Sequence, residues 1–198
     1  MPNTNTPMGL RPIGTLGSAG YMGKIQIFNV PSTDATAIGI GDPVSLNGTG
    51  DANGVPQATR FVAVAGATTQ IPLVGVMVGI VPNPTDLALG YRKASTAMDI
   101  LVDIDPNTIF EVQDSNTTKT TGLAVTTIGL NVDLLMGTVD TVTGNGKTIL
   151  EGTTAATTAN LPVKILRLSP KVGNEVGSYA KWQVLLNAHA FKAAVAGN

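Results

Sequence analysis

Cysteine is absent from the 198-residue chain. This removes disulfides, thiolate nucleophiles and soft metal sites together, while leaving the compartment open, because disulfides are optional even where they are permitted. Charge is scarce as well: 12 Lys and Arg with 13 Asp and Glu, 13% of all residues, against roughly 25% in an average soluble domain. A solitary soluble protein carries about 25–35% charged residues on its exterior, so an exterior this neutral is expected to be covered in part by partners. The neutral area is expected to be concentrated on one or two contact faces. The net charge of −1 comes without any basic run, which argues against direct nucleic-acid binding. Long apolar runs are missing too. The longest, residues 71–81, contains Pro72 and falls short of the ~20 residues that span a bilayer, so no membrane partner is expected. The opening MPNTNTPMGL has neither the basic nor the apolar stretch of a secretory signal. The expected location is the cytoplasm, or a larger particle assembled there.

Aromatic residues are few, Phe 4, Tyr 3 and Trp 1, so the core must be built from Val, Ile, Leu and Ala. Branched side chains suit a pleated surface and lose freedom in helices. Residues 1–24 hold two charges, three prolines and five glycines with no sustained period, which reads as an extended N-terminal arm, disordered or laid over a neighbour. From there Ile25 and Ile27 alternate with Lys24 and Gln26 up to Pro31, the two-residue period of a half-buried strand. Further β-like runs are 43–46, 61–65, 71–81, 98–104, 108–113, 122–136, 148–151, 162–168 and 181–191. Asn47-Gly48, Asn53-Gly54 and Asn145-Gly146 tolerate positive φ between such runs, and Asp42-Pro43 and Asp105-Pro106 start turns. About ten short strands predict an all-β fold, a jelly-roll-like sandwich or barrel over residues 25–198, with room for two small β subdomains. Residues 85–97 are a weak helix candidate interrupted by Gly90, and 188–196 are a candidate final turn.

Side chains able to do chemistry are thin on the ground. His189 is the single histidine. Structural zinc wants four N or S ligands and catalytic zinc usually three from the protein, so His189 reads as a hydrogen-bonded residue near a strand end or interface. Asp99, Asp103, Asp105 and Asn107 are the densest oxygen cluster, and D-x-D-x-N opens a calcium loop. The match then fails, with Thr108 where the sixth-position glycine belongs and Asp114 where the glutamate belongs; a plain turn is the alternative. Gly144, Asn145, Gly146, Lys147 and Thr148 resemble the end of a phosphate loop. Thr141 occupies the first glycine position, however, and the following residues read as a strand rather than the helix such a loop must enter. No serine sits in a G-x-S-x-G elbow, and no particular carboxylate pair is singled out. Neither a cofactor nor a resident metal is expected, and an enzyme is not the favoured reading.

Three stretches carry a resemblance. GVMVGIVPNP from Gly75 leads on to VDIDPNTIFEVQDS; TTIGLNVDLLMGT is followed by TTAATTANLPVKILRLSP; and KVGNEVGSYAKWQVLLNAHAF comes last. In this order, and with the opening MPNTNTPMGLRPIG, the chain resembles a family of tailed-bacteriophage capsid decoration, or cement, proteins. The resemblance implies a β-rich protein, often a homotrimer, that sits outside the head shell and holds neighbouring major-capsid subunits together. Many relatives carry a bulkier aromatic where this chain has Met77 and Val78.

The reading that unites these observations is a structural virion protein whose partners are the major capsid protein and further copies of itself. Repeated contacts would hold it by avidity. Interface candidates are Leu10, Arg11, Pro12 and Ile13 on the arm, Tyr21 at its end, Trp182 as an anchor, and Phe191. Trp is enriched at binding hot spots, though the sole tryptophan of a small sandwich is equally suited to its core. A head fibre or a receptor- or carbohydrate-binding virion module is the alternative, disfavoured by the scattered aromatics. A hydrolase on a β-scaffold is a third.

Overall fold

The computed structural model describes residues 3–17, 20–63, 72–115 and 122–192. The fold is all-β, as expected. Among the described residues are β1 (Arg11–Thr15), β2 (Ile25–Val30), β3 (Pro43–Gly50), β4 (Pro56–Arg60), β5 (Leu73–Ile80), β6 (Met98–Asp103), β7 (Thr108–Gln113), β8 (Asn131–Leu135), β9 (Ile149–Ala156), β10 (Val163–Leu168) and β11 (Lys181–Leu186). Strands β2–β4–β3–β5–β6 close into a barrel, and β1–β7–β11–β10–β8–β9 form a six-stranded sheet. The barrel closes because β2 pairs β6 antiparallel along its length and meets β4 in parallel at Asn29 and Gln57.

Two apolar cores follow from this division. Phe28, Val30, Ile38, Val44, Val74, Met77, Ile100 and Val102 fill the barrel. The second lies under the sheet, where Phe110, Val112, Val132, Leu150, Ile165, Trp182 and Val184 pack with Phe61, Leu73 and Val76 from the barrel segment. Strand β5 therefore serves both. The extra residue Val74 in its register with β3 lets Leu73 and Val76 face one core while Val74 and Met77 face the other. A strand buried on two sides needs no alternation, which is why 71–81 reads as a continuous apolar run.

Several expectations are corrected. Residues 10–15 of the expected arm are not free: Leu10 is 0% exposed in the sheet's core, and β1 pairs β7 from Arg11 to Thr15. Pro12 and Gly14 hid the strand, but an edge strand tolerates both, and the register shift between them absorbs the irregularity. In β2 the strand is present with its faces reversed. Phe28 and Val30 point inward, while Ile25 and Ile27 remain 52% and 45% exposed. Run 61–65 is displaced, since the strand ends at Arg60 and Phe61 is a buried core residue; residues 64 and 65 lie outside the described residues. Run 122–136 divides into a single 3-10 turn, Val125–Thr127, and β8. Residues 85–97 form turns, not a helix, and 188–192 form a turn, the rest of that candidate lying outside the described residues. Strand β9 continues past Gly152 to Ala156.

Candidate functional site

A few buried polar side chains hold the two halves together, Asp42 foremost. Asp42 is fully buried and accepts Arg60 Nη2 at 3.1 Å, the Gly39 amide at 3.0 Å and the Thr148 hydroxyl at 2.6 Å, with Arg60 Nε 2.9 Å from its second oxygen as an ion pair. Arg60 also donates to the Gly137 carbonyl. One ion pair thus ties barrel strand β4 to the segments that flank β8 and β9. Beside it, Gly144, Asn145 and Gly146 run along the barrel, with the Ile40 amide donating to Gly144 O at 2.9 Å and the Gly146 amide to Ile40 O at 2.7 Å. The phosphate-loop lookalike is therefore a docking strap. Its Gly146 amide, which a nucleotide would need, is committed to a carbonyl, and Thr148 leads into a strand.

The D-x-D-x-N cluster is the turn between β6 and β7. Asp103 Oδ1 accepts the Asp105 amide at 3.1 Å, and its Oδ2 accepts the Thr108 hydroxyl at 2.9 Å. Asp105 accepts the Asn107 amide at 3.0 Å and pairs with Lys24 at 3.3 Å. Each of these carboxylate oxygens has a protein partner. Asp99 instead accepts from Asn29 on the barrel wall. Tyr21 packs at the same corner; burial and its hydrogen bond with the Asp103 carboxylate push the phenol up to about 12. His189 lies nearby, fully buried, its Nδ1 accepting the Phe191 amide at 3.1 Å. Burial, helped by Lys192, pulls its pKa down to about 4 against Asp105 and the Ile104 carbonyl, so the ring is neutral at ordinary pH. Arg92, also fully buried, donates to the carbonyls of Pro31, Asp34, Thr36 and Thr96. It is the stay for the loops at one barrel end. Among the described residues no three His, Asp or Glu side chains are grouped to hold a metal.

The interface candidates fall into separate places. Trp182 is 0% exposed and belongs to the sheet's core, so it anchors the fold and touches no neighbour. Leu10 is corrected in the same way. Arg11 is exposed, and Pro12 and Ile13 are half-buried on the edge strand. With Met8, Ile40, Met77 and Val78, residues 10–12 line a cleft between β1 and the barrel. Tyr21 is 38% exposed, and Phe191 is half exposed beside the His189 ring.

Exposed apolar side chains are more dispersed than the composition led one to expect: Met8, Leu16, Val62, Leu87, Val142 and Val172 stand on different loops or strand ends. Their densest group is Tyr21, Met22, Ile25 and Ile27, continued across the ladder by Leu101, which pairs with Ile27. Sequence reasoning placed only Tyr21 there, because period-two isoleucines signal a buried face. Comparisons with protein-family models, curated proteins and solved structures find no match for the chain.

Proposed function

We propose that the chain is a structural virion protein that decorates a bacteriophage head, assembling as a homotrimer on the shell exterior and bridging neighbouring major-capsid subunits. The observation that carries this reading is the apolar wall of β2, where Ile25 and Ile27 stand exposed on a regular strand beside Met22 and Tyr21. Exposed apolar surface grouped in this way marks a contact site. Covering it at ~25 cal/mol per Å² stabilises whichever assembly hides it. The scarcity of charge supports the same reading only at this wall, the other exposed apolar side chains being dispersed. The employment of Asp42, Arg60, Arg92, Asp103 and Asp105 in internal hydrogen bonds also supports it, since it leaves them to the scaffold.

The test is sedimentation. The purified chain is expected to run as a trimer of the 20.2 kDa protomer and to pellet with isolated phage heads in a saturable ratio. Ile25→Ser/Ile27→Ser is expected to remain folded and to lose trimer or shell binding by about tenfold or more. A wild-type chain that is monomeric and stays in the supernatant with heads present overturns the reading.

A further inference from the structure

Several cationic side chains of this charge-poor chain stand together on one face. The outward side of the six-stranded sheet carries a transverse row in which Arg11 of β1 pairs in register with Glu111 of β7, Glu111 with Gln183 of β11, and Gln183 with Arg167 of β10. Lys181 and Lys164 stand on the same side, and Lys171 follows β10. Glu111 is buried and already accepts from Ser169 and Lys171, which hold its carboxyl below the usual range against the cost of its burial. Among the described residues Arg11, Lys164, Arg167 and Lys181 take part in no ion pair, Arg167 Nε donating instead to Gln183 at 2.7 Å, whereas Lys24, Arg60 and Arg92 of the barrel segment are each matched to an aspartate and Lys93 is not. Strands lie ~4.8 Å apart, so Arg11 and Arg167, three strands apart, bound a patch roughly 14 Å wide. A small cleft opens within it between Arg11, Glu111, Gln113, Lys171, Lys181 and Met8.

We infer that this sheet face docks an acidic protein segment, one carboxylate of which seats in the cleft between Arg11, Lys171 and Lys181. The cleft holds about 40 Å³, a space on the scale of a few waters and of a single carboxylate. Local cations act within a Debye length of ~8 Å, so a carboxylate in contact is attracted even though the whole chain is net −1. A nucleic-acid duplex presents one charge every ~1.7 Å over a long track; a 14 Å patch on a net-negative chain suits it poorly. Where the natural partner is the capsid subunit, the inference rests on the preceding reading, but the chemistry of the face is tested apart from it.

The experiment titrates the full chain with a fluorescent hexaglutamate peptide, with hexaglutamine and a short DNA duplex as comparators. Saturable hexaglutamate binding is expected, weakening about tenfold between roughly 50 and 300 mM salt. Arg11→Gln/Lys181→Gln is expected to weaken it about tenfold, and Lys93→Gln, on an exposed barrel loop, to leave it unchanged. Unchanged melting of each variant confirms the fold. Absent peptide binding, equal binding by the double variant, or tighter binding of the duplex overturns the inference. Heads that capture the wild type and the double variant equally also overturn it, while the decoration reading stands. Heads that capture neither count against the decoration reading alone, and the peptide result still decides this one.

Discussion

Asp133 shows how a single residue sits against the grain of its surroundings. It lies on β8 in register with Glu151 of β9, and it is 6% exposed. Burial raises its pKa; the Leu134 amide, donating at 2.8 Å, works the other way, and Glu151 raises it further. A carboxyl whose folded pKa lies above its unfolded value favours the protonated fold. It costs nothing at low pH, and its cost grows as pH rises through the ordinary carboxylate range to the raised value, above which it is complete. Asp133→Asn keeps an oxygen for the Leu134 amide and removes the like-charge opposition. It is expected to stabilise the chain at neutral pH by about 0.5–1 kcal/mol, some 1–4 °C in Tm, with the gain fading as pH falls through the carboxylate range and gone by about pH 3. Melting curves of both proteins at the two pH values check this; a variant less stable at neutral pH sinks it.

At the scale of elements, the question is what β1 contributes. It is an edge strand, it covers β7, and it brings Leu10 into the core. Removing residues 1–15 should cost at least the ~2–5 kcal/mol of losing one buried leucine, and it bares the β7 edge to association. Tm is expected to fall by 10 °C or more, with concentration-dependent aggregation. An unaltered Tm would restore the free-arm reading. Strands were legible wherever one signal sufficed. The run 108–113 coincides with β7, because turn residues Asp105-Pro106 bound it and branched residues fill it. β1 was hidden by Pro12 and Gly14, whose tolerance depends on edge position, a property of the sheet and not of the segment. The alternation in β2 revealed a strand but not which side was buried, since Ile25 and Ile27 mimic a core face. The basic sheet face was illegible for a related reason: Arg11, Lys164, Arg167 and Lys181 are far apart in sequence and meet only through strand pairing. Trp182 stood in a run that β11 confirms as a strand, yet a lone tryptophan suits core and interface alike until burial decides.

For the whole molecule, the two cores must unfold together or apart, and the decision rests on what joins them. Phe61, Leu73 and Val76 come from the barrel segment and pack under the sheet, while Leu73 exchanges backbone hydrogen bonds with Ala188 and Ala190 beyond β11. Across the junction lies the Asp42–Arg60 pair, with Thr148 and Gly137 as its contacts on the sheet side. Breaking such a pair from one side is more damaging than its net worth, because the remaining charge is left buried; the usual cost is ~3–5 kcal/mol. Arg60→Met is therefore expected to destabilise by that amount and leave Asp42 stranded. Arg60→Met/Asp42→Asn should recover part of the loss by removing the stranded charge. If the ion pair couples the halves, the single variant also broadens or splits the urea transition, because shared apolar side chains alone must then carry the cooperativity. Trp182 fluorescence reports the sheet's core and far-UV circular dichroism the whole chain. Coincident transitions in the wild type and separated ones in Arg60→Met are the expected result. A loss below about 1 kcal/mol would mean that the pair behaves as a solvent-screened surface bridge and that the apolar residues shared between barrel and sheet are what makes the molecule one unit.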